Sequence, residues 1–342
     1  MRIPVNLLPK PEAPPERREV GNVLGIVSAS SRKGSTTYKR MRLCPRDHAL
    51  YSLGLRSQRE HEPLTLGFLF HHGLETFFNA IQAHQQTLDP TMTALDEYCF
   101  GNIAEAEAAV WDELKSIRDE PGYANTYKAL EKALVAYFDN WRYQDHWRII
   151  AVEETLEYAD GDFEYTARLD LIVEELLGDA RAKGVWVVEH KSARAITADL
   201  LLSYAMDLQI LGQKWLYETC VNQEEMPPFR GVLVDIVTTG YKVTRTERVE
   251  VNPSHYHTRS FEDAQRRWAR IERTFEAEGW PKALGNCSGA ARFFKTCPYY
   301  TLCEGKPEYT VESWKRELEV IGAPHGYVDI FAEKTECQSK SS

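Results

Sequence analysis

Ala167-Arg-Leu-Asp-Leu-Ile-Val173 and, one short connection later, Val187-Val-Glu-His-Lys191 decide the reading of this chain. Both are apolar β-runs interrupted by an acid. Acidic residues are disfavoured inside strands and seldom buried without partners. Asp170 and Glu189 therefore need an account beyond folding. Side chains alternate along a strand, which puts Glu189 and Lys191 on one face and His190 on the other. If the two strands pair, Asp170 and Glu189 can share one metal ion, and their hard oxygen ligands favour Mg2+ or Mn2+. Such an ion activates water and polarises a phosphoryl oxygen. A lysine two residues along can orient that water or stabilise the negative charge that develops. An isolated Glu-x-Lys is a common surface pair, so the case depends on what surrounds it.

Working outward, Trp147 to Tyr158 has strand character and Asp160-Gly-Asp162 is a hairpin signal. Phe163 to Glu174 and Val185 to Glu189 are two further strands. Leu200 to Val221 has helical character, and Phe229 to Thr238 is a fourth strand. Upstream, Leu66, Phe70, Leu74, Phe77 and Phe78 recur at helical spacing within 64–83. Ala104 to Arg118 and Tyr123 to Arg142 form two more helices, separated by Asp119-Glu-Pro-Gly122. The order predicts an α/β fold with a mixed central sheet flanked by helices. Residues 1–36, which include Pro4, Pro9, Pro11, Pro14 and Pro15, form a flexible arm. Residues 37–305 form one domain with a helical section over 64–146, and 306–342 hold a C-terminal helix and a frayed tail.

The 342 residues carry a net charge of −10, and 43% of them are hydrophobic. No run approaches eighteen apolar residues, which argues against a membrane span. The N-terminus lacks the apolar run of a signal peptide, which points to the cytoplasm, where thiols stay reduced. An acidic chain is a poor candidate for nucleic acid on global charge alone, but binding responds to the local field. Between Ser31 and Glu60 eight cations face only two anions. The bland reading is a solvated basic segment. The functional one is an arm in which Arg40, Arg42 and Arg46 contact phosphates. No Gly-x-x-x-x-Gly-Lys-Ser/Thr occurs, so a helicase motor would have to come from a partner.

Cys44 lies in that basic segment, and Cys287, Cys297 and Cys303 follow the strands. Four thiolates suit a zinc ion or a [4Fe–4S] cluster, although the tight pairs usual for zinc are missing. Cys99, Cys220 and Cys337 are taken as scattered buried thiols.

Taken in order, these residues resemble the PD-(D/E)XK nuclease superfamily in its RecB-like branch, over roughly residues 40–305. Asp170 matches the acid of the Gly/Ala-x-x-Asp strand, here with Ala167, and Glu189 with Lys191 matches the (D/E)XK pair. Gly67-Phe-Leu-Phe-His71 resembles the N-terminal helix of the branch, which implies His71 as a further metal ligand. The strand before Asp170 often holds another acid, either Glu153 or Glu154 here. Asp207-Leu-Gln-Ile-Leu-Gly-Gln213 resembles the downstream glutamine helix. Gln209 is the better match, and Gln213 with Tyr217 is the other register. The four cysteines resemble the iron–sulfur staple of AddB-type, CRISPR-associated and phage-encoded relatives, with looser spacing than usual. The resemblance implies a restriction-endonuclease-like fold whose staple joins the N- and C-terminal segments. It also implies a Mg2+- or Mn2+-dependent exonuclease acting on single-stranded DNA or DNA ends in recombination, repair or phage DNA processing in a bacterial host. A site- or structure-specific endonuclease and a catalytically silent DNA-binding module are the alternatives.

Overall fold

The computed structural model describes residues 33–52, 62–91, 93–118, 123–177, 183–221, 224, 226–239, 244–278, 281 and 297. The polypeptide divides into two units, and the boundary falls between Ala264 and Gln265 inside one helix. Most of the arm over 1–36, all of the tail over 306–342, and Cys287, Cys303 and Cys337 lie outside the described residues.

In chain order, α1 (Ser35–Leu43) and α2 (Pro45–Ser52) belong to the second unit. The first unit begins with α3 (Glu62–Gln85), α4 (Leu95–Phe100), α5 (Ile103–Glu113), α6 (Lys115–Arg118) and α7 (Ala124–Trp141). Three strands follow, β1 (Trp147–Asp160), β2 (Phe163–Glu175) and β3 (Gly184–Ala193). Next come α8 (Ala198–Ser203), a 3-10 turn (Tyr204–Met206) and α9 (Leu208–Cys220). β4 (Phe229–Thr238), β5 (Thr246–Val251) and α10 (His255–Glu278) complete the order.

The sheet runs β1-β2-β3-β4-β5. β1, β2 and β3 pair antiparallel, β3 and β4 pair parallel, and β5 returns antiparallel on β4. This is the expected mixed sheet. The parallel step requires a crossover, which α8 and α9 supply. The centre of the sheet is dry: Val187, Val188, Val232, Val234 and Ile236 are fully buried, and near-continuous apolar runs of this kind are what strands covered on both sides require.

Three elements differ from expectation in an instructive way. The helix expected over Leu200 to Val221 is broken, because Asp207 adopts an extended conformation and caps α9 by accepting from the Gln209 amide. This capped start sets the register in which Gln209 and Gln213 leave the helix. β5 and α10 go beyond the expected elements, which end at the fourth strand. β5 carries Glu247, Arg248 and Glu250 and buries only Val251. Within the first unit α10 sets Phe261 against Tyr165 and Trp215. Gly212 lets α9 approach β2, since a Cβ there would collide with the Tyr165 hydroxyl.

In the second unit, Tyr38, Met41 and Cys44 are buried. Glu272 takes hydrogen bonds from Lys33 at 3.1 Å and His48 at 2.9 Å. The Arg42 guanidinium lies over the Trp268 ring at 5.4 Å. Among the described residues, no helix is long and apolar enough to cross a membrane.

Candidate active site

Asp170 sits where the β2–β3 ladder ends. The last paired residues are Leu171 and Val188. Beyond them the His190 backbone N–H donates to Asp170 Oδ2 at 2.9 Å instead of to a strand carbonyl. His71, on α3, brings Nδ1 to 3.2 Å from the same oxygen. On the other side, β1 places Glu153 between the paired positions Val152–Leu171 and Glu154–Leu169, and so opposite Asp170. Glu153 holds a positive φ of 50°, the only non-glycine among the described residues to do so. Its carboxylate pairs with Arg168 Nε at 2.7 Å.

His71, Glu153 and Asp170 each present a ligand atom within 4.8 Å of the others. Bonds of about 2.1 Å to Mg2+ ask for neighbouring ligand atoms roughly 3 Å apart, a small inward adjustment of three side chains. Two carboxylates and an imidazole suit a hard or borderline divalent cation better than a soft one. The donor set therefore fits Mg2+ or Mn2+. Of the two candidate acids in β1, Glu153 joins this set and Glu154 does not.

Glu189 lies beside the set rather than in it. It is completely buried, and three donors hold it. Lys191 Nζ and Gln209 Nε2 reach Oε1, the latter at 2.7 Å, while Gln213 Nε2 reaches Oε2. Gln209 Oε1 also accepts from Lys191 Nζ at 2.9 Å. Both glutamine registers thus face Glu189, one turn apart on α9. Tyr217 does not join them. It packs its ring on Phe229 with 4.4 Å between centroids, and its hydroxyl has no hydrogen-bond partner among the described residues.

The His190 ring is directed away from Glu189 and Lys191, as alternation requires. It stacks on Phe78 and meets Tyr137. It is still not remote from the acids, because Nδ1 is 3.8 Å from Asp170 Oδ2.

The electrostatics are those of a site crowded with opposite charges. Burial opposes the His71 imidazolium, but Asp170 outweighs burial and raises His71 to about 9. Burial would raise Asp170, yet the charged His71 and Lys191 hold it well below the carboxylate range. Burial, reinforced by Asp170, pushes Glu153 up to about 7 and Glu189 also upward. Burial works against the Lys191 ammonium, and Glu189 and Asp170 keep it charged. His190 goes the other way: burial lowers it to about 4, so the ring is neutral.

The remaining candidates fall in the second unit. Cys44 and Cys297 are buried, and Cys297 Sγ is 3.9 Å from Asp47 Oδ2. Arg40 is committed to Asp47 at 3.0 Å. Arg46 is partly exposed, and its backbone N–H donates to the Pro281 carbonyl. Cys99 is buried as expected, whereas Cys220 is only partly covered.

Sequence reading passes over Arg168 and Asp235. Arg168 stands two residues before Asp170 in the same strand. Asp235 is an acid inside the apolar run of β4, the same signal that singles out Asp170.

Comparison with known proteins assigns the family. The model of the PD-(D/E)XK nuclease superfamily matches residues 35–304. No curated protein matches. Among solved structures, a candidate exonuclease from Eubacterium rectale is 12% identical with a TM-score of 0.42, covering 73% of this chain and 84% of that one. The protein SSO0001 is 12% identical with a TM-score of 0.28, covering 68% and 95%. The family match spans most of the chain and includes the acids, the lysine and all five strands, so this chain belongs to the PD-(D/E)XK nuclease superfamily.

Proposed function

We propose that this nuclease is a Mg2+- or Mn2+-dependent exonuclease of the RecB-like branch, acting on single-stranded DNA or on DNA ends. The observation that carries the reading is the cluster of His71, Glu153 and Asp170 beside the Glu189–Lys191–Gln209 network. In this reading His71, Glu153, Asp170 and Glu189 would hold the cation. The ion supplies Lewis-acid charge opposite the scissile phosphate.

The chain's own residues do the rest. Lys191 stays protonated between two acids and donates to the attacking water or to a phosphoryl oxygen. Gln209, bonded to both Glu189 and Lys191, keeps the ammonium in place. Gln213 holds the far oxygen of Glu189. Arg42 and Arg46 are the proposed phosphate contacts of the basic segment. Arg40, which also pairs with Asp47, is the third proposed contact. A separate helicase, or an end already open, supplies the substrate.

The proposal includes a [4Fe–4S] cluster on Cys44, Cys287, Cys297 and Cys303. It draws support from two buried cysteines in one unit, with Cys297 beside the first turn of the helix that follows Cys44. Such a cluster would pin the basic segment to the C-terminal part of the nuclease domain.

The test is anaerobically purified protein incubated with end-labelled single- and double-stranded DNA in Mg2+, Mn2+ or EDTA. Metal-dependent shortening from an end is expected. Internal cuts would make it an endonuclease, and binding without cleavage that Asp170→Ala leaves unchanged would make it a silent binding module. A brown protein with stoichiometric iron and sulfide is expected, and a colourless one holding zinc would overturn the cluster.

A further inference from the structure

A buried polar chain that the proposed chemistry does not use runs away from Asp170. His190 Nε2 lies 3.1 Å from the Tyr137 hydroxyl, which lies 3.2 Å from Asp235 Oδ2. Arg248 grips Asp235 with Nε at 2.6 Å and Nη2 at 2.7 Å. It grips Asp145 through Nη1 at 2.6 Å and Nη2 at 2.9 Å. The same guanidinium lies between the rings of Trp141 and Trp147, 4.9 and 4.8 Å from their centroids. Five residues from α7, the turn after it, β3, β4 and β5 are joined in this way. Buried ion pairs of this kind add little net stability over apolar side chains of the same size, so stability alone does not account for it.

The chain has one consistent set of protons. Asp235, bonded on both oxygens by Arg248, is an acceptor only. Tyr137 must then donate to Asp235, which leaves its oxygen to accept. His190 Nε2 must therefore carry a hydrogen. The other neutral tautomer would set two acceptors face to face, and a flipped ring would put Cε1 opposite the hydroxyl and lose the bond, so the ring orientation is fixed from behind. The fixed residue is the one whose backbone N–H donates to Asp170 Oδ2. His71 meets that same oxygen, while Oδ1 has no partner among the described residues.

We propose that Tyr137, Asp235, Arg248 and Asp145 are positioning residues for the metal site. They fix His190, and His190 fixes Asp170 so that Oδ1 is the oxygen offered to the cation. None of the four touches the substrate. The inference rests on the metal-dependent reading above.

The test compares wild type, Tyr137→Phe and Phe77→Leu. Tyr137→Phe keeps the ring contacts with Phe78, Trp141 and His190 and removes only the hydroxyl. Phe77→Leu loosens the same aromatic cluster without touching the chain. Mn2+ binding is measured calorimetrically without DNA, along with Tm, kcat and KM. Residues behind metal ligands typically contribute 10- to 100-fold in affinity, so Tyr137→Phe should weaken Mn2+ binding by about 10-fold. It should lower kcat at limiting metal, recover at saturating metal, and leave KM for DNA unchanged. Phe77→Leu should lower Tm with no change in Mn2+ affinity. Wild-type Mn2+ binding in Tyr137→Phe, or an equal loss in Phe77→Leu, would overturn the proposal.

If Tyr137→Phe does not fold, the nitrogen NMR spectrum of metal-free wild type decides. The Nε2–H tautomer of His190 is expected, and an Nδ1–H tautomer would overturn the chain. If wild type itself neither binds Mn2+ nor cleaves, the functional reading fails. If wild type does both and Tyr137→Phe is unaffected, only the positioning role fails.

Discussion

Glu153 stands opposite Asp170 across the β1–β2 ladder with its backbone at a φ of +50°. Left-handed backbone at a residue other than glycine costs on the order of 1 kcal/mol. It persists here in the strand residue whose carboxylate reaches the His71–Asp170 cluster. The side chain adds a second cost, since burial and Asp170 make its ionised form unfavourable. A bound cation would relieve the second cost and offset the first.

Glu153→Gly should therefore raise stability and weaken metal binding together. Relief of the backbone should stabilise metal-free protein by about 1 kcal/mol relative to Glu153→Ala, which lacks the carboxylate but keeps a Cβ. Both variants should bind Mn2+ less tightly than wild type by similar factors. Thermal unfolding and calorimetric titration of the pair check this. A Glu153→Gly protein less stable than Glu153→Ala would show that the strand is not strained there.

Much of this site is legible in the sequence because its signals are local. An acid inside an apolar run is unusual wherever it occurs, and Asp170, Glu189 and Lys191 are visible for that reason. The choice between Glu153 and Glu154 is not, because a left-handed residue within a strand cannot be read from alternation. Gln209 and Gln213 both face Glu189 since Asp207 begins the helix afresh, a break that the apolar pattern of 200–221 conceals. α10 escapes notice because its buried positions include Gln265 and Glu272 beside Phe261 and Ala269, so its covered face does not read as apolar. β5 pairs with β4 at the edge of the sheet and buries one valine, too little for a pattern. Asp235 carries the signal of Asp170, but its partner Arg248 is distant in sequence, and only the β4–β5 register sets them side by side.

Gln209 and Gln213 should separate into catalysis and stability. Gln209 bridges Glu189 and Lys191 at the partly exposed edge of the network. Gln209→Ala should lower the single-turnover cleavage rate by roughly 10- to 100-fold with little change in Tm, since positioned polar groups carry effects of that order. Gln213 is fully buried and holds the inner oxygen of Glu189. Gln213→Leu keeps its bulk and strips a buried carboxylate of a donor, which costs about 1–3 kcal/mol. The same two measurements on both variants make the comparison, and a reversed pattern would exchange the two roles.

Lys191→Met should abolish cleavage while DNA binding persists. The ammonium is the one described cation bonded to Glu189, and loss of a donor to developing charge costs roughly 100- to 1000-fold in rate. Fluorescence anisotropy with Ca2+ in place of Mg2+ should give a DNA Kd within a few-fold of wild type. A Lys191→Met protein that cleaves at half the wild-type rate would remove the lysine from the chemistry.

Glu272 gives the second unit an acid limit. Burial alone would raise its carboxyl, but the His48 hydrogen bond and the Lys33 ammonium outweigh burial and hold it below its usual 4.5. A carboxylate whose folded pKa is depressed contributes stability that is complete above the unfolded pKa and is lost as pH falls through the folded one. Wild-type protein should therefore keep this contribution at pH 7 and lose it progressively below pH 4.5. Glu272→Gln removes a charge that two buried or half-buried donors expect, at a cost of about 1–3 kcal/mol at pH 7. That difference should shrink on acidification, because wild type protonates the same oxygen. Thermal unfolding of both proteins at pH 7, 5 and 4 tests the sign. A gap that widens toward pH 4 would mean that Glu272 is held above its ordinary range, not below it.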